Sequence, residues 1–425
     1  MKRLICFLLA LVLIQSCFVP PGSARSRQVG SDRDLLDVLA GMCEKRAVGF
    51  HLELKKAYFD ALTDDDLAGL GMLFLQAGIT SYRLRYTEEG DLTLDDVRWT
   101  EPHLAEYTTE SEGRQALEAF LTEGLAACQL VTAQQDVYEN FLTHINEYAT
   151  LCGVQAMTVR NALSAPYVIW LEEIRYYPGR KILLAIAAED DSVLTYREAK
   201  TMAAARELAA QCRRETSLET ALAIHDALCD IITYTNDEYR QEDDNAIGAL
   251  LRGQANCDGY ADAFYLVGSL AGLEVRYQHG SSRKRTADRL YQDVTHMWNL
   301  LKLNGTWRLV DITWDDQENQ TVHTWFNIGA DRARRMHRWN EEISIPLLEK
   351  TDLAARPGTE YLIRDLADIT ACTQNAADNR YPSFTIVLPD ESSLSGSDLL
   401  AALKTTMNRS FSYSWNEYMR TMTVE

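Results

Sequence analysis

The chain has 425 residues, with 62 Asp and Glu against 42 Lys and Arg, a formal net charge of −20. A surface this acidic repels nucleic-acid phosphates and anionic lipid, which argues against a sequence-independent DNA or RNA binder. Its 46% apolar and 24% charged residues are those of ordinary globular material, with room for roughly two to four domains.

Lys2 and Arg3 precede an apolar run from Leu4 to Ile14, eleven residues long. A bilayer span needs about 20, so residues 1–24 read as a signal peptide and the protein as secreted or extracytoplasmic. Two processing sites compete: cleavage after Gly22-Ser23-Ala24, or lipidation at Cys17 behind Ile14-Gln15-Ser16. Gln15 is awkward in a lipobox, which favours cleavage; an anchor at Cys17 is the one membrane attachment expected. Setting aside Cys6 and Cys17 leaves Cys43, Cys128, Cys152, Cys212, Cys229, Cys257 and Cys372, with no CxxC pair. Most read as small buried hydrophobes, and an odd number leaves at least one free thiol.

Residues 31–105 read as an α/β accessory module, with helices near Leu35–Cys43 and Leu67–Gln76 and strands at Val48–Leu54, Ser81–Tyr86 and Asp91–Trp99. Residues 112–190 read as a second, with helices at Gln115–Cys128 and Val137–Leu151 and strands near Val168–Ile174 and Lys181–Ile186. A third spans 360–425: a segment at Leu362–Thr370, a strand at Ser383–Leu388, a helix at Ser397–Met407, then segments at Ser410–Trp415 and Met419–Val424. The similar order of elements suggests a repeated module flanking a different central domain over 195–345. Tyr is frequent, at 20 residues in the chain, and those spread over the modules fit strand packing.

Within the central domain, Thr216-Ser-Leu-Glu219 is a capping box, and His225 shares the apolar stripe of the helix it opens. A lone His on such a face reads as structural. Apolar or small residues at 257, 260, 261, 264, 267 and 271 define one face of a helix starting at or just before Cys257 and stopping at Gly272. At a helix N-terminus, unsatisfied amides and the positive dipole end favour a thiolate. The residues alone leave a buried structural cysteine as the alternative.

His296 follows 39 residues later, and Asn304-Gly305 separates two strand-like runs, a strong hairpin signal. A two-residue turn sets Leu303 opposite Thr306, Trp298 opposite Asp311 and His296 opposite Thr313. His296 and Asp311 then become diagonal neighbours at roughly 7–8 Å between backbones, close enough for their side chains to pair. With Cys257 packed on that face, the three form nucleophile, base and orienter. The Cys257 amide and a donor such as Gln254 or Tyr260 would supply an oxyanion hole.

The stretches NCDGYADAF, HMWNLLKLNGTWRLVDITWDD and AIHDALCDIITYT with DDNAIGALLRG resemble the core of the transglutaminase-like superfamily, over roughly Leu218 to Trp339. The resemblance implies an α+β class: a papain-like core with N-terminal helices, a Cys at a helix N-terminus and an antiparallel sheet carrying His and Asp, flanked here by the small α/β modules. It carries Cys257, His296 and Asp311 over as a triad, with Trp298 and Asn299 as neighbours. Trp325-Phe326 and His337-Arg-Trp339 resemble the tail of bacterial members, with His337 read as structural. It implies acyl transfer through a thioacyl-enzyme on protein or peptide amides, ending in crosslinking or hydrolysis. The alternative is an extracytoplasmic peptide- or glycan-binding protein with an inactive core, and cell-wall peptide or glycan is the expected partner of the accessory modules.

No cofactor is expected. The eight histidines are isolated along the chain, without HExxH or EF-hand spacing, so no metal is expected. Asp64-Asp65-Asp66, Asp243-Asp244 and Asp315-Asp316 read as solvated loop carboxylates rather than calcium ligands, and Asp315-Asp316 also falls in the TWDD stretch of the resemblance, where packing near the site is an adequate reason. Arg283-Lys284-Arg285 reads as a mobile loop beside the cleft, able to attract an acidic substrate.

Overall fold

A computed structural model of the chain describes residues 27–29, 31, 50–55, 79–86, 91–99, 103–161, 167–235, 242–285, 291–317, 320–352, 359–381, 383–407 and 410–425. The expected signal segment, the helices at Leu35–Cys43 and Leu67–Gln76, Cys43 and the Asp64–Asp66 run lie outside the described residues. The chain falls into two units, Met1–Ile145 with Ala156–Arg175, and Asn146–Gln155 with Tyr176–Glu425.

Three four-stranded sheets share one strand order. They run Arg27–Val29, Phe50–Leu54, Asp91–Trp99, Ile79–Tyr86; then Leu104–Glu106, Cys128–Thr132, Tyr167–Tyr176, Val154–Asn161; then Glu360–Leu362, Phe384–Val387, Thr421–Val424, Tyr413–Asn416. In each, the first two strands are parallel and the last strand in sequence sits inside the third. Parallel neighbours need a crossover, supplied by helices Glu110–Thr122 and Asp368–Asp378 in the second and third sheets.

Two expected elements change type. The helix placed at Gln115–Cys128 ends at Thr122, Gly124 takes a φ of +77°, and Cys128–Thr132 is a strand buried at every position. Continuous burial on both faces removes the alternation by which a strand is recognised. The strand placed at Lys181–Ile186 is instead helix α1, Pro178–Ala187. Pro178 stands at the first helical turn, where its missing N–H costs nothing, and Ile182 and Ala185 face inward at helical spacing.

α1 joins four further helices: α2 Tyr196–Cys212, α3 Ser217–Ile231, α4 Ala246–Arg252 and α5 Cys257–Ala271. Both α2 and α3 open on full capping boxes, Thr195 with Glu198 and Thr216 with Glu219. α5 is the axis of this core. Rather than one apolar face, every residue from Gly259 to Gly268 is buried, as expected of a helix wrapped by neighbours on all sides. It ends at Gly272, whose φ of +95° suits glycine.

Against α5 lies an antiparallel sheet of β1 Glu274–Arg285, β2 Tyr291–Leu303, β3 Thr306–Val310 and β4 His337–Arg338, in the order β3-β2-β1-β4. The turn holds as expected: Leu303 pairs with Thr306, and Asn304 and Gly305 have φ of +50° and +78°. Arg283-Lys284-Arg285 is not a loop but the end of β1, paired with Asp293, Gln292 and Tyr291 across β2. Strand pairing claims those residues because the β1–β2 ladder runs its full twelve positions. The Arg283 guanidinium lies 3.6 Å from Asp293.

One buried carboxylate ties α5 to its surroundings. Asp262 accepts from the Gly179 amide at 3.1 Å, the Ala246 amide at 2.8 Å and the Tyr277 hydroxyl at 2.7 Å. It thereby holds the N-termini of α1 and α4 and strand β1 to the helix that carries Cys257. Asp262→Ala orphans three donors, each worth about 1–3 kcal/mol when buried. Urea unfolding is expected to show a loss of at least about 3 kcal/mol, and a smaller loss for Asp262→Asn, which keeps one acceptor oxygen.

Candidate active site

Cys257 occupies the first position of α5. Asn256 precedes it as the N-cap, its side-chain oxygen accepting from the amides of Asp258 at 3.0 Å and Gly259 at 3.2 Å. The cap leaves the Cys257 amide outside its own hydrogen bonds. The glycine of the Cys-x-Gly sequence has a steric reason. A β-carbon on Gly259 would sit 2.6 Å from the Asp243 carbonyl oxygen, so only hydrogen lets the preceding turn reach the start of α5. The thiol is partly exposed, and Asp258 Oδ1 lies 3.4 Å from Sγ. Among the described residues the cysteines are free thiols, and Cys128, Cys212, Cys229 and Cys372 are buried. Burial pushes the Cys128 and Cys372 thiols up to about 12.

His296 lies on β2 and Asp311 just beyond β3. His296 Nε2 donates to Asp311 Oδ2 at 2.7 Å with both side chains buried. The pair forms, but by a different route from simple register. The β2–β3 ladder stops at Asn299 and Val310. Asp311 does not pair with Trp298; its amide donates to the Trp325 carbonyl at 3.1 Å. Its carboxylate caps a helical turn, α6 (Ile312–Asp315), accepting from the Trp314 amide. His296 therefore faces a turn rather than strand residue Thr313, and the carboxylate at the turn's start points back to it.

A third residue joins them. His337 on β4 is fully buried, and its Nε2 lies 2.8 Å from the same Asp311 oxygen. Burial pulls the His337 pKa down against the pull of Asp311. A neutral ring must then carry its single proton on Nε2, because a carboxylate only accepts. Asp311 thus receives two imidazole N–H groups and one backbone N–H. Burial alone would raise its pKa, but His296 and His337 hold it below the usual carboxylate range. For His296, burial works against the charge, yet Asp311, aided by a hydrogen bond to Cys257, raises it to about 10. With Nε2 bound to Asp311, Nδ1 is the nitrogen left for the sulfur.

Aromatic rings enclose these groups. Trp314 stacks on His296 at 5.5 Å between centroids, while Trp298 meets His337 edge-on at 4.7 Å and Trp325 does so at 4.9 Å. Beside them a cavity of about 600 Å³ runs between Trp314, Trp325 and Met336 of the core and Ser414, Asn416 and Thr421 of the C-terminal sheet.

The other sequence-derived residues have separate places. Asn299 Nδ2 donates to the Ala261 carbonyl at 3.1 Å and the Arg276 carbonyl at 3.3 Å, stapling β2 to α5 and β1. Tyr260 is buried, and its hydroxyl donates to Asp316 Oδ2. Gln254 sits three residues before Cys257 on a two-residue strand paired with Thr233. Trp298 is buried with its Nε1 unpartnered. Asp315 is buried and Asp316 half-buried, so neither is a solvated loop carboxylate; tight packing on Trp325 and Tyr260 takes them out of water. Asp243 is likewise buried, paired with Arg252. Nothing in the linear spacing marks His337 as a partner of Asp311 or Trp314 as the ring against His296, because both contacts depend on the path of the chain after β3.

Residues 203–312 match the family described as the Transglutaminase-like superfamily. Kyphoscoliosis peptidase of Homo sapiens is 33% identical over 117 residues, covering 26% of this chain and 18% of that protein. The Mus musculus protein of the same name is 33% identical over 105 residues, covering 23% and 16%. The chain thus spans less than a fifth of the length of either relative. A solved structure described as a TGase aligns over 56% of this chain and 59% of its own, at 9% identity and a TM-score of 0.25.

Because folding lowers the Asp311 pKa, the carboxylate contributes stability that is full above its ordinary value near 3.8 and is lost as pH falls below it. Asp311→Asn, close in shape but uncharged, is expected to unfold with a shallower acid dependence than the native chain. Thermal unfolding between pH 2 and 6, on about half-unit steps, measures this; parallel curves would contradict it.

Proposed function

We propose that the chain is an exported cysteine-dependent acyl-transfer enzyme acting on protein or peptide amides. What supports the reading above all is one imidazole shared between a buried carboxylate and a cysteine at a helix N-terminus. In this reading the Cys257 thiolate attacks the amide carbonyl carbon. The carbonyl π electrons move to oxygen, and the Cys257 backbone amide at the start of α5 stabilises that oxyanion. The C–N bond then breaks as His296 gives the departing nitrogen its Nδ1 proton, leaving a thioester on Cys257 and a free amine. Asp311, kept ionised by its three donors, fixes the imidazole with Nε2–H inward and balances the imidazolium between steps. A second nucleophile deprotonated by His296 completes the cycle: an amine gives a crosslink, water gives hydrolysis.

Which nucleophile prevails depends on water access. The cavity against Trp314, whose indole covers one face of His296, offers the substrate a path with the C-terminal sheet as one wall. Substrate contact by that sheet is the part of the binding reading that fits an active enzyme.

Two assays test the proposal. With iodoacetamide on the native protein, Cys257 is expected to label faster than the other cysteines and to lose that advantage in His296→Ala; equal labelling in both proteins would contradict an activated thiol. With casein and a fluorescent primary amine, incorporation reports transfer and new peptide ends report hydrolysis. Either activity is expected to fall at least about a thousand-fold in Cys257→Ala.

A further inference from the structure

A second histidine–aspartate cluster stands outside the triad. His225 Nδ1 lies 2.9 Å from Asp226 Oδ1, and His323 Nε2 lies 2.7 Å from that same oxygen. One donor atom from each of the three residues falls within 4.8 Å of the others. The histidines are 98 residues apart in sequence, at 225 and 323, so no short motif announces them; α3 and the segment after α6 bring them together. Tetrahedral zinc, with bonds of about 2.0–2.2 Å, separates its ligand atoms by about 3.3 Å. The two distances to Asp226, 2.9 and 2.7 Å, need to open by only about half an ångström to reach it.

An independent feature points the same way. The far nitrogen of His225, Nε2, lies 3.2 Å from Asp315 Oδ2, and both side chains are fully buried. Asp315 is itself fixed by the Trp325 amide at 2.9 Å. A ligating imidazole whose other N–H is held by a buried, hydrogen-bonded carboxylate is the arrangement that orients histidines on zinc and raises their basicity. Access exists from one side: the Asp226 side chain is 45% exposed and that of His323 11%, while His225 is closed off. Two imidazoles and one carboxylate, with room for water on the open side, suit zinc or a similar divalent transition ion and not calcium or magnesium, which take oxygen ligands. The His296–Asp311–His337 group has comparable spacing, but its His296 imidazole serves Cys257.

We propose that His225 Nδ1, Asp226 and His323 Nε2 bind one zinc-class divalent cation. Coordination displaces the proton from His225 Nδ1 to solvent, since the ring keeps its Nε2–H for Asp315. The cation links α3 to the turn on which Asp311 and Asp315 stand: the Asp315 amide donates to the Asp311 carbonyl at 3.2 Å. Its position is that of a clamp on the triad carboxylate.

The test uses the full chain, stripped with a chelator and titrated with zinc chloride by calorimetry in buffers of different ionisation enthalpy. One equivalent is expected to bind, with proton release and a raised thermal midpoint. Asp226→Asn and His323→Gln, both at the accessible side, are expected to keep the native circular dichroism while Kd rises at least tenfold; Asp315→Asn, which touches no metal, raises it about 10- to 100-fold. Cobalt substitution reads the ligands directly: d–d bands without a thiolate charge-transfer band are expected. Absence of binding, equal binding in Asp226→Asn and His323→Gln, or a sulfur charge-transfer band would overturn the assignment.

Discussion

A carboxylate sealed from water must be compensated in full, and Asp311 meets that demand with three donors: His296, His337 and the Trp314 amide. Much else follows from it. Burying Asp311 at the point where β3 gives way to a helical turn ends the hairpin ladder at Asn299 and Val310, three positions short of pairing His296 with Thr313. It brings β4 close enough for His337 to reach over. It also raises the basicity of His296, so that the imidazole beside the thiol holds its charge. Ionisation at this one residue connects the hairpin, the turn and the sulfur.

The same device recurs in the core. Asp262 gathers two helix N-termini and a tyrosine around α5, and Asp315 takes the Trp325 amide while bearing on His225. For both, burial pushes the carboxyl up to about 6 against its donors. A chain with a net charge of −20 thus uses a few of its carboxylates as internal acceptors that fix segments without regular pairing of their own. The cost of desolvating them is recovered only with every donor in place, so they set geometry more than they add stability.

Much of this was legible in the residues. Asn304-Gly305 fixed the register of β2 on β3, Thr216 and Glu219 marked the start of α3, and Gly272 the end of α5. The stripe beginning at Cys257 placed the sulfur at a helix N-terminus. What escaped was decided by tertiary contacts. The Cys128 strand loses its alternation to burial on both faces, and in α1 the unbroken apolar run from Ile182 to Ala187 does not by itself separate helix from strand. The departure of Asp311 from the ladder depends on the Trp325 carbonyl, fourteen residues further on in sequence. His225 and His337 read as structural because the groups that complete their surroundings, Asp315 and His323 for the one and Asp311 for the other, come from distant elements. Arg283 to Arg285 read as a loop because a charged run seldom ends a long strand, yet the β1–β2 ladder extends through it.

The state of the His296 ring tests the central claim most directly. In protein carrying 15N-labelled histidine, two-dimensional spectra that correlate ring nitrogens with carbon-bound protons, recorded from pH 5 to pH 11, follow its protonation. With Asp311 ionised beside it and Cys257 at its other nitrogen, the ring is expected to stay doubly protonated through neutrality and to lose a proton near pH 10, with Nε2 retaining its hydrogen. Titration near 6.5, the value of an isolated imidazole, with no change in Asp311→Asn, would contradict it.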